Sequence, residues 1–137
     1  MTKNDKFDWY DYYLLAESFK TDNPAKLRTG INRYYYSSFL ESRDYLIENK
    51  IFLNKDSKKN MNSEGSIVHE ETRNIFKNHN SLNISRKGEI IASELLELRK
   101  YRNLVDYDAE NPKNIKFAYE YCKARAKIVL KILEELN

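Results

Sequence analysis

The chain has 137 residues, 33% of them charged and 41% hydrophobic, with a formal net charge of +3. That length suits a single domain, spanning 1–137, of the usual ~100–200 residues. Three glycines and two prolines are too few for the many hairpins of an all-β fold or for a disordered chain, which leaves long helices.

A single cysteine, Cys122, excludes an internal disulfide framework and a cysteine-rich metal site. No apolar run reaches about 18 residues, so no membrane span is expected. The opening MTKNDKFDWYDYY has neither the apolar region nor the cleavage site of a signal peptide, and the expectation is a cytoplasmic protein. A net charge of +3 is too small to argue for nucleic acid from the sum alone, because steering depends on local clustering. The eleven tyrosines suit an interface or a core boundary, where the ring is buried and the hydroxyl still finds a partner.

Residues 8–20, DWYDYYLLAESFK, predict a first amphipathic helix. Asp22-Asn23-Pro24 then marks a break and a restart, with Asn23 as N-cap and Pro24 in the first turn. The second helix runs from Pro24 to about Asn49, with Leu27, Ile31, Tyr35, Phe39 and Leu46 at helical spacing. Gly30 within it costs about 1 kcal/mol relative to Ala. Residues 54–65, NKDSKKNMNSEG, are polar and aperiodic, the pattern of a mobile loop. A third helix from about Ser66 to Lys77 offers Ile67, Val68, Ile75 and Phe76 as its buried set. HNSLNIS forms the next connection, and a fourth helix covers about Lys87 to Tyr107. Asn111-Pro112 repeats the restart signal, and a fifth helix continues from Pro112 to near the C-terminus. The expected fold is all-α, a four- to five-helix up-and-down bundle.

Two arginines fall where leucines are expected. On the fourth helix, Arg102 shares a stripe with Ile91, Leu95, Leu98 and Val105. Arginine is almost never buried unless paired, so Arg102 must reach a carboxylate, line a polar pocket, or face a second chain. Asp106, four residues on, is one possible partner; Glu17, Glu41, Asp44 and Asp108 are others. On the fifth helix, Arg125 sits within the face of Ala118, Tyr121, Cys122, Ile128, Val129, Ile132 and Leu136. The opposite face carries Lys116, Lys123, Lys127 and Lys131, which is either a solvated stripe or a phosphate-tracking surface.

Other chemistry is absent from the pattern. Gly30, Gly65 and Gly88 are isolated and build no phosphate loop. VHEE (68–71) lacks the second histidine of a zinc-protease helix, because Arg73 stands four residues after His69. No paired metal-ligand spacing occurs, and no metal or other cofactor is expected. Cys122 reads as an inert core thiol.

Three segments, NRYYYSSFLESRDYL (32–46), EGSIVHEETRNIF (64–76) and RNLVDYD (102–108), together resemble the HEPN domain family, most closely its short stand-alone prokaryotic members. The resemblance implies a helical bundle that forms a two-fold homodimer, with both copies of a motif arginine in a shared cleft. In the family's nuclease branches the motif is Arg-x4-His or similar, and the domain cuts RNA without metal. There the arginine steadies the phosphate and the histidine handles the proton. By position, Arg102 matches the motif arginine, Asn103 matches the polar residue after it, and Tyr107 stands where the histidine would be. An ordinary tyrosine, with a pKa near 10, is a poor base at neutral pH, whereas an arginine still offers a planar donor fork to phosphate. The resemblance also implies a minimal nucleotidyltransferase partner, as in toxin–antitoxin pairs, with Tyr107 as the tyrosine that such a partner could modify.

The resulting expectation is a cleft of Arg102, Asn103, Asp106 and Tyr107, joined by Arg33 and Tyr36 of the second helix, that binds RNA or a nucleotide phosphate. Asp106 would orient Arg102 through a charge-assisted hydrogen bond. Two alternatives stay open. One is a metal-independent endoribonuclease toxin that uses Arg102, Asp106 and Tyr107, with His69 as a further proton-handling candidate. The other is a helical scaffold without a ligand.

Overall fold

The computed structural model describes residues 6–110 and 114–137. Among them there are six α-helices and no strand: α1 (Tyr10–Glu17), α2 (Pro24–Glu48), α3 (Lys55–Met61), α4 (Ser66–Asn78), α5 (Lys87–Tyr107) and α6 (Ile115–Leu136), with a 3-10 turn at Asn80–Leu82. No described helix is long and apolar enough to cross a membrane. The all-α expectation holds, with one more helix than the sequence pattern suggested.

Asparagine caps set the helix starts. The Asn23 side chain accepts from the Lys26 N–H, with Pro24 in the first turn, and the Asn114 side chain accepts from the Phe117 N–H. Each satisfies a backbone donor that the first turn leaves open. The expected restart at Asn111-Pro112 lies outside the described residues. Helix α1 is shorter than the 8–20 pattern, because it stops at Ser18, whose hydroxyl bonds back to the Leu15 carbonyl.

Helix α2 is the hub and packs against α1, α4, α5 and α6. All five of its expected core positions, Leu27, Ile31, Tyr35, Phe39 and Leu46, are buried. So are Ile91, Leu95, Leu98 and Val105 on α5. On α6 the innermost stripe is Ala118, Tyr119, Cys122, Ala126, Val129 and Leu133. It is rotated from the expected face, so that Tyr121, Ile128, Ile132 and Leu136 are only half-buried. Ile67, expected in the core, is 51% exposed. It lies about 100° from Val68 on the helix wheel, outside the arc that α4 buries.

The stretch 54–65, expected as a loop, holds a helix at Lys55–Met61, and only 62–65 connects it to α4. Asn54 caps α3 by accepting from the Ser57 N–H at 2.8 Å, and Ser57 and Met61 are buried. The buried Glu71 of α4 holds the helix from outside: Ser57 Oγ donates to it at 3.2 Å and Asn60 Nδ2 at 2.8 Å. Polar contacts dock this helix, so its sequence carries no apolar stripe to betray it. The α4–α5 corner is equally specific. The Asn83 side chain donates to the carbonyls of Phe76, Lys77 and His79 and accepts from the Glu89 N–H.

A Cβ at Gly88 would lie 2.2 Å from the Phe76 carbonyl oxygen and 2.9 Å from the Asn83 side chain. Gly88→Ala therefore lowers stability by about 1–3 kcal/mol through overpacking, although Ala is the better helix former by about 1 kcal/mol. Urea unfolding checks this; an unchanged or higher midpoint would show that the α4 end yields freely.

Candidate functional site

Helix α5 carries Arg102 into the core beside Leu98 and Val105, where the residue is 7% exposed. Its guanidinium carbon lies 5.5 Å from the Tyr35 ring centre, 5.4 Å from that of Tyr36 and 5.9 Å from that of Tyr107. Its polar contacts are long. Nη1 donates to the Tyr107 hydroxyl at 3.4 Å and lies 3.8 Å from the Asp106 carboxylate. At 3.8 Å the Asp106 contact is an ion pair without the hydrogen bond expected of it. The buried Arg102 Nε has no partner.

Asp106 is instead anchored from α2, where Asn32 Nδ2 donates to it at 2.8 Å. Arg33 Nη1 donates to Asn32 Oδ1 at 3.0 Å, and its guanidinium stacks over Tyr12 at 4.6 Å. Thus Arg102, Asp106, Tyr107, Tyr36 and Arg33 do come together, through Asn32, which the sequence reading missed. Asn103 stands exposed beside them. Tyr107, 78% exposed, forms the outer lip. Arg28 fixes the end of α5 by donating to the carbonyls of Val105, Asp108 and Glu110.

None of the more distant carboxylates pairs with Arg102. Glu17 meets Lys123 and Asp44 meets Arg43, and Glu41 faces Asp8 and Asp44. The Asp108 carboxylate accepts from the Glu110 N–H at 3.0 Å.

Behind Arg102 lies a layer that the sequence reading did not assemble. His69 of α4 is buried, stacks on Phe39 with ring centres 4.0 Å apart, and shares a hydrogen bond through Nδ1 with the Tyr35 hydroxyl. Burial above all, then the charges of Arg99, Arg102, Arg73 and Arg43, push His69 down to about 4. It is neutral at pH 7. Burial also raises the Tyr35 phenol, against the pull of Arg99, Arg102 and Arg73.

Three helices supply these four arginines, and their compensation differs sharply. Arg43 is bonded to Asp44 at 3.0 and 3.2 Å. Arg73 and Arg99, both half-buried, form no hydrogen bond or ion pair among the described residues. Arg73 Nη1 and Arg99 Nε are buried without partners, like Arg102 Nε. Burial, then Arg99, holds Arg73 below the usual arginine range. The available signal was spacing: His69 and Arg73 are four residues apart on α4, and Arg99 and Arg102 three apart on α5, so each pair shares a helix face.

The second intruding arginine has an internal explanation. Arg125 Nη1 contacts both carboxylate oxygens of Glu94 at 3.2 and 3.3 Å and stacks on Tyr121 at 4.8 Å. Two members of the lysine stripe are also neutralised, Lys116 by Asp22 at 3.0 Å and Lys123 by Glu17 at 3.7 Å, while Lys127 and Lys131 are exposed. Cys122 is buried, and burial pushes its thiol up to about 12.

No family model matches the chain, and no solved structure matches it. It is 35% identical over 109 residues to MJ0628, an uncharacterized protein of Methanocaldococcus jannaschii, a match that covers 74% of this chain and 61% of that protein. The chain thus spans less than two-thirds of the length of this relative.

The neutral His69 couples folding to pH. The unfolded chain takes up its proton near pH 6.5 and the folded chain only near about 4, so the contribution is complete above pH 6.5 and is lost as pH falls through that window. At 1.36 kcal/mol per unit it amounts to at most ~3 kcal/mol. Glu41 opposes it: burial, then Asp8 and Asp44, pushes that carboxyl up to about 7, which costs stability as pH rises from 4.5. The stability difference between wild type and His69→Asn isolates the histidine and should grow in favour of wild type from pH 4 to 6.5. A flat difference in urea melts would contradict the assigned environment.

Proposed function

We propose that this protein binds RNA or a nucleotide phosphate at the Arg102 patch, in a cleft completed by a second copy of the chain. The observation that carries this reading is the guanidinium of Arg102. It is buried in an apolar seam, makes two long contacts and leaves Nε unpartnered. Withholding hydrogen bonds from a buried charge costs several kcal/mol, a cost that an arriving oxyanion would offset. Arginine suits that role because its planar fork matches phosphate.

The HEPN resemblance supports the same reading, since Arg102 holds the position of that family's motif arginine. The exposed Tyr107 and Asn103 and the half-buried Arg33 add a stacking surface and donors suited to a nucleotide. A toxin–antitoxin or phage-defence setting, with a nucleotidyltransferase partner acting on Tyr107, belongs to the same resemblance. The exposure of Tyr107 beside Arg102 is compatible with modification there. Binding is favoured over ribonuclease action because no histidine stands at the rim: His69 lies beneath it, engaged with Tyr35 and Phe39.

Fluorescence anisotropy with a labelled oligoribonucleotide, in EDTA and across a salt series, tests this. Arg102→Met keeps the apolar packing and should weaken binding by ~10–100-fold, the range of one charge-assisted contact, and should flatten the salt slope. Sedimentation should show a dimer. Equal affinity of wild type and variant would overturn the reading. Arg102-dependent cleavage of the oligomer would replace it with the endoribonuclease.

A further inference from the structure

The surface holds two other sizeable cavities that suggest no ligand. One of about 760 Å³, beside the α1–α2 connection, is lined by Glu17, Asp22, Lys116 and Lys123, which already pair as Lys116–Asp22 and Lys123–Glu17. Another of about 750 Å³ gathers Asp8, Glu17, Glu41, Lys127 and Lys131 around carboxylates, with no unpartnered group aimed into it. The arginine layer behind Arg102 is different.

We infer that Arg73, Arg99 and Arg102 form a binding site for the dianionic phosphate of a phosphomonoester, the end of an RNA strand or a mononucleotide. This rests on the phosphate-binding reading above and narrows it to a chemical class. Three buried guanidinium nitrogens on three side chains, Arg73 Nη1, Arg99 Nε and Arg102 Nε, have no acceptor. Buried donors in native proteins are nearly always satisfied, so three orphans in one layer, on arginines without a close ion pair, call for an absent acceptor. Geometry places the three arginines in one layer: Arg102 lies 5.5 Å from the Tyr35 ring centre, the Tyr35 hydroxyl bonds His69, and Arg73 and Arg99 stand one helical turn from His69 and Arg102 on the same faces of α4 and α5.

Charge and acceptor count select the ligand. Arg73 and Arg99 carry two positive charges without an ion pair; the nearest carboxylate to act on Arg73 is Glu70, one turn back on α4 and not within pairing distance. Arg102 is partly offset by Asp106 at 3.8 Å. A terminal phosphate brings close to two negative charges and three free oxygens, one for each orphan nitrogen. An internal phosphodiester brings one charge and two free oxygens, and leaves a donor bare. The Tyr35–His69 pair forms a neutral floor and adds no negative charge to that of Asp106 beside Arg102 and Glu70 near Arg73.

The test compares three oligoribonucleotides of one sequence, carrying a 5′-phosphate, a 3′-phosphate or hydroxyls at both ends, at fixed salt, with AMP and adenosine as competitors. One phosphorylated form should bind at least ~10-fold tighter than the hydroxyl form, an amount equal to about 1.4 kcal/mol. In Arg73→Gln/Arg99→Gln that preference should vanish, the phosphorylated oligomer losing at least ~10-fold more affinity than the hydroxyl oligomer. Competition by AMP and not by adenosine assigns the site to free nucleotide as well; its absence assigns it to RNA ends. AMP binding without binding of any oligomer would keep the phosphomonoester site and remove RNA from the proposed function. Equal binding of all three oligomers with no competition by AMP overturns this inference and leaves the proposed function standing. No binding of any probe overturns both. Thermal melting guards against misfolding: the double variant loses two uncompensated charges and should melt at or above wild type. Inorganic phosphate should raise the melting temperature of wild type alone; a destabilised variant, or an equal rise in both, counts against the site.

Discussion

A guanidinium inside a helical seam, short of hydrogen bonds, is the constraint around which the rest of this molecule is arranged. Arg102 sits at 7% exposure between aromatic faces of α2 and the end of α5. The rings of Tyr35, Tyr36 and Tyr107 offer it quadrupole attraction, which is worth more in a desolvated place than at the surface. They do not replace the hydrogen bonds water would have given. The imbalance deepens one layer down, where Arg73 and Arg99 are also uncompensated and His69 stays neutral beneath them. Proteins that need only stability seldom gather like charges in this way, because an apolar replacement of similar volume is often the more stable choice.

The scaffold holds this arrangement by fixing the three helices that supply it. Helix α2 runs through the middle and presents Tyr35 and Tyr36 on one side while burying Tyr34 against Tyr119 on the other. Arg28 clasps the three carbonyls after the last turn of α5, which sets where Asp106 and Tyr107 stand. The Asn83 clamp joins the end of α4 to the start of α5. Through these contacts His69 and Arg73 keep their place relative to Arg99 and Arg102. Rigid elements, rather than loops, carry these side chains, the arrangement that accurate placement of a ligand requires.

The contrast between Arg102 and Arg125 is instructive. Both interrupt an apolar stripe in the sequence, and both have an orphan Nε. Arg125, however, reaches Glu94 through both carboxylate oxygens and remains about one-third exposed. Its charge is compensated within the chain and its burial asks for nothing more. Helical periodicity marks an intruding arginine in either case; only the partner's distance separates a compensated guanidinium from an uncompensated one.

Periodicity and caps by themselves determined the helical class, the limits of α2 and α5 to within a residue, and the burial of Leu27, Tyr35, Leu98 and Arg102. These are local properties, since a stripe at 3.6-residue spacing and an asparagine before a proline act within a few turns of chain. The family resemblance singled out Arg102, Asn103 and Tyr107 by position, and helical spacing offered Asp106 as a partner of Arg102. Tertiary structure alone decided that Lys55–Met61, within the polar stretch 54–65, is a helix, because its stability comes from Glu71, in another element, and not from its own polar sequence. Only packing could reveal that Arg73 and Arg99 lack partners, or that Asn32 rather than Arg102 holds the Asp106 carboxylate. Whether a charge is satisfied depends on which distant side chains arrive within about 3 Å of it, and that distance is set by three helices meeting in space.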